Sequence, residues 1–385
     1  MYYDKFHNRT YNRRTDRLCD MRYSERQREG LRLPSRDDLK YFQAMPLDIK
    51  VAMTKTRIRE WVKEYGTDGV YVSFSGGKDS TVLLHIVREL YPNVEAVFVD
   101  TGLEYPEIRK FVKSFENVTI LRPKMRFDEV IKKYGYPLIS KDVAQTIYYA
   151  RKGTEFGLKK IKGLKTNGEP SQFRKRYVKY APLLDVDFNI SNCCCLEMKE
   201  KPIRLKEKEK KPIIALLAEE SERRTAGWLR TGCNAFDSKR PVSKPMSFWT
   251  EQDVLQYIKR NSLSIASVYG DVVDESQIVK VGNEIFEQQP MFEGCNGKLT
   301  TTGCKRTGCM FCGFGCHLEK ESRWLRLKKT HPRQYEYCIG GGEYNENGIW
   351  QPNSKGLGLG HCFDVLNEIY GKGFIKYKED GYDKL

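Results

Sequence analysis

The chain is 385 residues long, 39% apolar and 12% aromatic, which is enough to bury a sizeable core in one large α/β domain with appendages, or in two domains. Its net charge of +16 points towards anionic partners. Residues 1–40 hold no apolar run of the kind a secretory signal needs, and no window reaches the roughly 18 apolar residues of a membrane span, so a cytoplasmic protein without a membrane partner is expected.

Taken in chain order, residues 1–45 read as a basic arm, partly helical at best. Residues 48–65 read as an amphipathic helix, with Val51, Ile58, Trp61 and Val62 available for one face. After Gly66 the pattern changes to alternating strands and helices: strand 70–74, helix 79–90, strand 94–99, helix 105–115 and strand 118–121. Within 79–90, Val82, Leu83, Ile86 and Val87 recur at helical spacing. Two successive strand–helix–strand units imply right-handed crossovers and a parallel sheet. A helix follows at 141–149.

Residues 151–180 then carry ten Lys or Arg against Glu155 and Glu169, a local charge of +8. Gly153, Gly157, Gly163, Gly168 and Pro170 interrupt any long helix there, and Phe173, Tyr177 and Tyr180 interleave with the charges. A mobile basic loop with aromatics suits DNA or RNA; the alternative is a solvated insertion, or one that only attracts nucleotide phosphates. Residues 193–211 read as a charged helical segment ending at Pro212, and the apolar run 213–217 as a buried parallel strand. A helix is expected over 250–260, with Thr250 as N-cap and Asp253 at its third position. Residues 294–317 are Gly- and Cys-rich loop, and a short helix lies near 363–369.

Two features carry chemistry. The strand at 70–74 runs into Ser75-Gly76-Gly77-Lys78-Asp79-Ser80, and a helix follows. Glycines let backbone N–H groups approach a phosphate, the helix N-terminus adds donors and a positive dipole end, Lys78 adds a point charge, and Ser75 and Ser80 add hydroxyls. The carboxyl edge of a parallel sheet is where such ligands bind. The loop lacks the Walker pattern of a P-loop. The second feature is cysteine. Nine of the twelve fall between Cys193 and Cys316, which in a reducing compartment suggests metal or cluster chemistry rather than disulfides. Cys304, Cys309, Cys312 and Cys316 lie within thirteen residues and could hold a cluster or zinc. Cys233 is a candidate ligand or sulfur-carrying nucleophile. Cys19, Cys338 and Cys362 read as packing, and His85, His331 and His361 are assigned no role.

The Ser75–Ser80 motif resembles the pyrophosphate loop of the N-type ATP pyrophosphatases. Asp100-Thr101-Gly102, followed by Glu104, resembles the phosphoadenosine-phosphosulfate (PAPS) reductase branch of that adenine-nucleotide α-hydrolase superfamily. Cys194-Cys195, with Lys199 and Pro202 after it, resembles the Cys pair of cluster-containing adenylyl-sulfate reductases. Glu220-Ser221 with Arg224, and Pro245 with Trp249-Thr250, resemble segments that close on the nucleotide, and Arg306-Thr307-Gly308-Cys309 with Cys312 resembles the second Cys pair. The arrangement is similar to prophage-borne reductase-like proteins and to DNA-phosphorothioation sulfurtransferases. No Cys follows Cys362, so the Glu-Cys-Gly-x-His motif of assimilatory reductases is not expected.

The resemblance implies a five-stranded parallel sheet flanked by helices. It implies a division into arm 1–45, a nucleotide-binding domain 46–290 carrying the basic insertion, and a Cys-rich region 291–385. It implies ATP and Mg²⁺ as ligands, and a [4Fe–4S] cluster, ahead of zinc, on Cys194, Cys195, Cys309 and Cys312. Lys78, Asp79 and Cys233 are then the catalytic candidates. Ser75, Gly76, Gly77, Ser80, Asp100, Thr101, Gly102, Glu220, Ser221, Arg224, Arg230 and Trp249 are nucleotide-binding candidates. The expected activity is adenylation and thiolation of an acceptor, a nucleic acid bound through 151–180, with a sulfur donor such as a cysteine desulfurase. A homo-oligomer or a partner subunit is the remaining partner expectation. The alternatives are a sulfonucleotide reductase and a DNA-associated regulatory subunit.

Overall fold

Val70–Ser73 (β1) is the central strand of the main sheet in the computed structural model, and its Val70, Tyr71 and Val72 are wholly buried. The structure describes residues 34–281 and 297–379, with short strands at Tyr2–Asp4, Arg9–Tyr11 and Glu284–Glu287. Most of the basic arm expected at 1–45 therefore lies outside the described residues, as do Cys19, Cys295 and the start of the Cys-rich loop. The described residues divide into two compact units: 1–100, 104–121 and 203–307 in the first, and 101–103, 122–202 and 308–385 in the second. This division follows contacts rather than chain order, and it puts the basic insertion with the C-terminal region instead of inside the expected domain 46–290.

The first unit is built on a six-stranded sheet. Ala96–Val99 (β2), Val118–Leu121 (β3), Lys211–Ile214 (β4), Asn234–Ala235 (β5) and Val242–Ser243 (β6) join β1 in the order β3-β2-β1-β4-β6-β5. The first five of that order are parallel, as expected, and β5 adds a short antiparallel edge. The fourth strand starts earlier than expected. Pro212 does not stop the chain before the sheet but lies inside β4, opposite Tyr71. Residues 193–211 are also not one helix: Cys193–Cys195 leads into a π-turn at Leu196–Glu200 and then the helix Lys201–Glu209.

The helix Leu47–Tyr65 packs Ile58, Trp61 and Val62 inward, while Val51 is only half-buried. Its buried face is completed by Lys50, Thr54 and Arg57, which hydrophobic periodicity does not find. Each has partners. Lys50 Nζ donates to Asp253 Oδ2 and to the Gln43 carbonyl, both at 2.6 Å. Thr54 accepts the Trp249 indole N–H at 2.9 Å, and Arg57 pairs with Glu60 at 2.7 Å. Asp253 also completes the capping box that starts Glu251–Arg260, so one carboxylate serves two helices.

In the second unit, Leu138–Ile139 pairs in parallel with Gly313–Phe314, and the helix Leu359–Tyr370 buries Cys362, Phe363 and Leu366. The basic insertion is folded, which corrects the expectation of a mobile loop. Lys141–Arg151, Glu155–Ile161 and Arg174–Val178 are helices, and Tyr177 and Tyr180 are buried beneath them. The Arg151 guanidinium donates to the carbonyls of Leu183, Leu184, Val186 and Phe188, so one cation organises the loop that follows. No helix of the described residues is long and apolar enough to cross a membrane.

Removing one member of a buried ion pair leaves the other uncompensated, at a cost of roughly 3–5 kcal/mol. Lys50→Met is therefore expected to lower the unfolding free energy by about that amount in urea titrations. Arg36→Ala, which breaks a solvent-exposed pair with Glu222, should leave the urea midpoint unchanged within error.

Candidate nucleotide and thiol sites

The loop after β1 turns on Gly76, whose φ is +70°. A Cβ there would lie 2.7 Å from Val112 Cγ2 and 2.8 Å from Ile108 Cγ2, so glycine is needed for both conformation and space. Gly77 is extended and caps the helix Lys78–Leu90, leaving backbone donors of the first turn free of intrahelical partners. The Ser75 and Ser80 hydroxyls bond each other at 3.0 Å, and the Ser75 N–H donates to Ser80 Oγ at 3.2 Å. The loop is thus closed on itself at the helix N-terminus, with Ser75 exposed and Lys78 buried.

Charged groups of the first unit converge on this turn. Lys78 Nζ donates to Glu251 Oε1 at 3.1 Å and stands 5.5 Å from the centre of the Tyr269 ring. Arg224 pairs with Glu220, and Arg306 approaches the same carboxylate at 3.9 Å. Burial, and next the charge of Arg306, push the Arg224 pKa down. Burial pushes Asp79 above the usual carboxylate range, Glu251 adding to the shift while Lys78, Arg306 and Arg224 oppose it. Glu219 is raised too, again mainly by burial, and it accepts the Glu251 backbone N–H at 2.7 Å. Cations that repel each other beside a crowded set of carboxylates fit a ligand with both charges, an anionic phosphate group together with a divalent cation.

Tyr269, Glu251 and Arg306 were not picked out by the sequence as nucleotide-site residues. Tyr269 bonds Thr307 Oγ1 through its hydroxyl at 2.9 Å, and burial raises its pKa to about 12. Its hydroxyl lies 3.4 Å from where a Gly77 Cβ would be, so it closes one side of the loop.

Other expected residues fall elsewhere. Asp100, at the end of β2, accepts from Arg109 at 2.9 Å. Thr101 accepts the Leu103 N–H at 3.2 Å, and Gly102 takes a φ of +75°. Ser221 caps the helix Glu222–Thr231 by accepting from the Arg224 N–H. Arg230 is exposed near the other end of that helix, where its charge acts on Lys244, and so does not join Arg224 as a clamp. Trp249 is wholly buried with its indole N–H on Thr54, so it packs rather than closing over a ligand. Cys233 is also wholly buried, and burial raises its pKa. A thiol kept protonated and away from solvent is a poor nucleophile, which corrects the catalytic role expected of it.

The second unit holds the thiol site. Cys194, Cys195, Cys309 and Cys312 line one cavity of about 30 Å³ with Leu103, Phe127, Pro137, Met198 and Lys199. Cys304 and Cys316 are not among the residues that line it. Among the described residues no three Cys, His, Asp or Glu side chains already stand at metal-holding geometry, and no disulfide ties these thiols. The donor set itself is four thiols without carboxylate or imidazole, which suits iron–sulfur or zinc. Hydrogen bonding from Cys194 lowers the Cys195 pKa, with Lys141 and Lys199 assisting. Burial raises Cys312 to about 11.

Backbone contacts fix the loop that carries Cys309 and Cys312. The Met310 N–H donates to the Leu103 carbonyl at 2.8 Å, and Arg323 donates to the Cys312 carbonyl at 2.9 Å. Ile139, opposite Phe314, holds a φ of +65°, and its carbonyl accepts the Gly315 N–H at 2.8 Å.

A mostly parallel sheet with a glycine turn and a helix N-terminus at the end of its central strand defines a nucleotide-binding type of α/β protein. The chain belongs to the phosphoadenosine phosphosulfate reductase domain family, whose model matches residues 69–313. An adenosine 5′-phosphosulfate reductase of Bacillus cereus is 35% identical over 82 residues, covering 20% of this chain and 35% of the relative. An uncharacterised protein of Methanocaldococcus jannaschii is 37% identical over 73 residues, 18% of each chain. The matched stretch thus spans about a third or less of these relatives. The crystal structure of a PAPS reductase from Candida auris aligns with 63% of this chain and 97% of its own at 13% identity, with a TM-score of 0.33.

Gly76→Ala should be destabilising by roughly 1–3 kcal/mol, from the positive φ and the clash with Ile108 and Val112. The expected result is a lower melting temperature by calorimetry, with nucleotide binding weakened at temperatures where the variant is still folded.

Proposed function

We propose that the protein is an ATP-dependent sulfurtransferase of the PAPS reductase family that adenylates an acceptor oxygen and replaces it with sulfur. The observation that carries this reading is the convergence of Lys78, Arg224 and Arg306 on one helix N-terminus beside Asp79. That donor array is wide enough for a leaving pyrophosphate. In the reaction, the acceptor oxygen attacks the α-phosphorus of ATP, the bond to the β-phosphate breaks, and pyrophosphate leaves. The terminal sulfur of a persulfide on a donor such as a cysteine desulfurase then attacks the adenylated centre and AMP leaves. A thiol reductant cleaves the S–S bond, releasing the carrier as a disulfide and leaving sulfur on the acceptor. Lys78 and the first-turn N–H groups hold the charge developing on pyrophosphate, and Arg224 and Arg306 orient it. Asp79 would hold Mg²⁺, which would neutralise phosphate charge. Cys194, Cys195, Cys309 and Cys312 would hold a [4Fe–4S] cluster, which supplies a soft iron site for sulfur. The acceptor in this reading is a nucleic acid.

The names of the relatives favour a second reading, reduction of a sulfonucleotide, and nucleotide preference separates the two. By calorimetry, ATP with Mg²⁺ should bind more tightly than adenylyl sulfate or its 3′-phosphate. Lys78→Ala should weaken ATP binding by about 10- to 150-fold, the equivalent of losing one charge-assisted hydrogen bond, and should abolish pyrophosphate release. Tighter binding of the sulfonucleotide, with sulfite released on adding a thiol reductant, would replace this proposal with the reductase.

The thiol site has its own check. Protein purified without oxygen should be brown, with iron and acid-labile sulfide in near equal amounts. Cys309→Ser should lose both, while Cys304→Ser, Cys316→Ser and Cys362→Ser keep them. Colourless protein with stoichiometric zinc would remove the cluster from the proposal.

A further inference from the structure

The folded basic insertion sorts its charges into two groups. Lys159 pairs with Glu155, Lys160 and Arg176 with Asp142, and Lys165 with Glu169, while Arg151 is spent on carbonyls. Lys152, Lys162, Arg174, Lys175 and Lys179 are exposed and have no ion-pair partner among the described residues, Lys152 lying over the Tyr148 ring and Lys179 over the Tyr180 ring. Arg174 and Lys175 lie in the single-turn helix Arg174–Val178 and Lys179 ends it, with Phe173 at its start 54% exposed and Val178 38% exposed. An aromatic ring left in water beside unpaired cations, while Tyr177 and Tyr180 of the same segment are buried, is not explained by packing.

A row of rings continues from this strip. Tyr180 meets Tyr370 at 5.8 Å, Tyr370 meets Phe374 at 4.7 Å, and Phe374 stacks on His317 at 5.0 Å with only 25° between planes. The Tyr370 hydroxyl donates to the Lys179 carbonyl at 3.1 Å, which joins the row to the cationic helix. Tyr370, Phe374 and His317 are each part-exposed, and His317 Nδ1 has no hydrogen-bond partner among the described residues. Burial, and then the charge of Lys179, lower the His317 pKa.

We infer that this strip, from Phe173 and Lys179 to His317, binds a single-stranded nucleic acid, with bases on the rings and phosphates on Arg174, Lys175 and Lys179. The inference rests on the proposed transfer of sulfur to a nucleic acid and specifies the form of that acceptor. Ring faces can take only bases that are out of a duplex stack, whereas the cations would serve either form. A strip with cations alone would favour duplex as much as single strand; the exposed ring and the aromatic row select the latter.

The test uses the full chain and fluorescence anisotropy with labelled 20-nucleotide single-stranded DNA, single-stranded RNA and duplex DNA, at several salt concentrations. Either single strand should bind more tightly than the duplex, and the better of the two names the acceptor. Phe173→Ala should weaken single-strand binding by about 5- to 150-fold, the loss of one base stack, with the salt dependence unchanged and with Phe173→Tyr retaining affinity. Replacing Arg174, Lys175 and Lys179 together by Ser should lower the slope of log affinity against log salt by about 2. Circular dichroism spectra matching the parent would show that these surface variants fold. Equal or tighter binding of duplex, an unaffected Phe173→Ala, or no binding at low salt each overturns the inference. Release of pyrophosphate from ATP is measured on the same preparations. Turnover without nucleic-acid binding rejects this inference alone, and binding without turnover rejects the sulfurtransferase reading while the strip stands.

Discussion

The gathering of Lys78, Arg224 and Arg306 around the recessed carboxyl of Asp79 is the constraint on which the loop after β1 depends. Two guanidinium groups and a buried lysine ammonium do not share a small volume unless anions separate them. Glu220 and Glu251 perform that task in the protein alone, one for the arginines and one for Lys78. The surrounding fold keeps the arrangement from relaxing. The helix Lys78–Leu90 is pinned by eight buried residues, Ser221 fixes the start of the helix that carries Arg224, and Thr250 and Asp253 fix the start of the helix that carries Glu251. In the proposed function, a phosphate group would take over from Glu220 and Glu251 as partner of these cations.

Much of this was legible in the chain. The run from β1 through the loop to its helix declares itself because strand period, glycines and helix period follow in order, and the parallel sheet follows from the repeated units. The contacts that complete the site were not legible. Tyr269 and Glu251 are single residues in ordinary surroundings, and only the fold brings them to Lys78. The helix Leu47–Tyr65 shows the same limit, since half of its buried face is Lys50, Thr54 and Arg57, polar groups whose partners lie near or beyond residue 245 in two cases of three. Pro212 misled because its usual meaning as a helix stop is local, whereas its place in β4 is set by pairing with β1.

Sequence motifs also overstated some residues. Trp249 sits in a segment that resembles a nucleotide-site motif and Cys233 reads as a ligand or nucleophile, yet both are wholly buried, and their chemistry is packing. The basic insertion errs the other way. Charge and glycine content read as a loose loop, but Arg151 and Asp142 gather enough partners to fold it, which leaves a smaller and more defined set of free cations. The Cys pairs were distinguished from the local Cys run only by resemblance; the wall of one cavity gives that choice a physical basis.

Ile139 has a further consequence. A β-branched residue at a φ of +65° is held against its own preference, at a cost of about 1–3 kcal/mol. What holds it is the two-residue pairing with Gly313–Phe314 and the Gly315 N–H on its carbonyl. If that short pairing parts, Ile139 relaxes and part of the cost of opening is returned. The backbone just after Cys312 is therefore held by a pairing weaker than a regular strand pair of the same length.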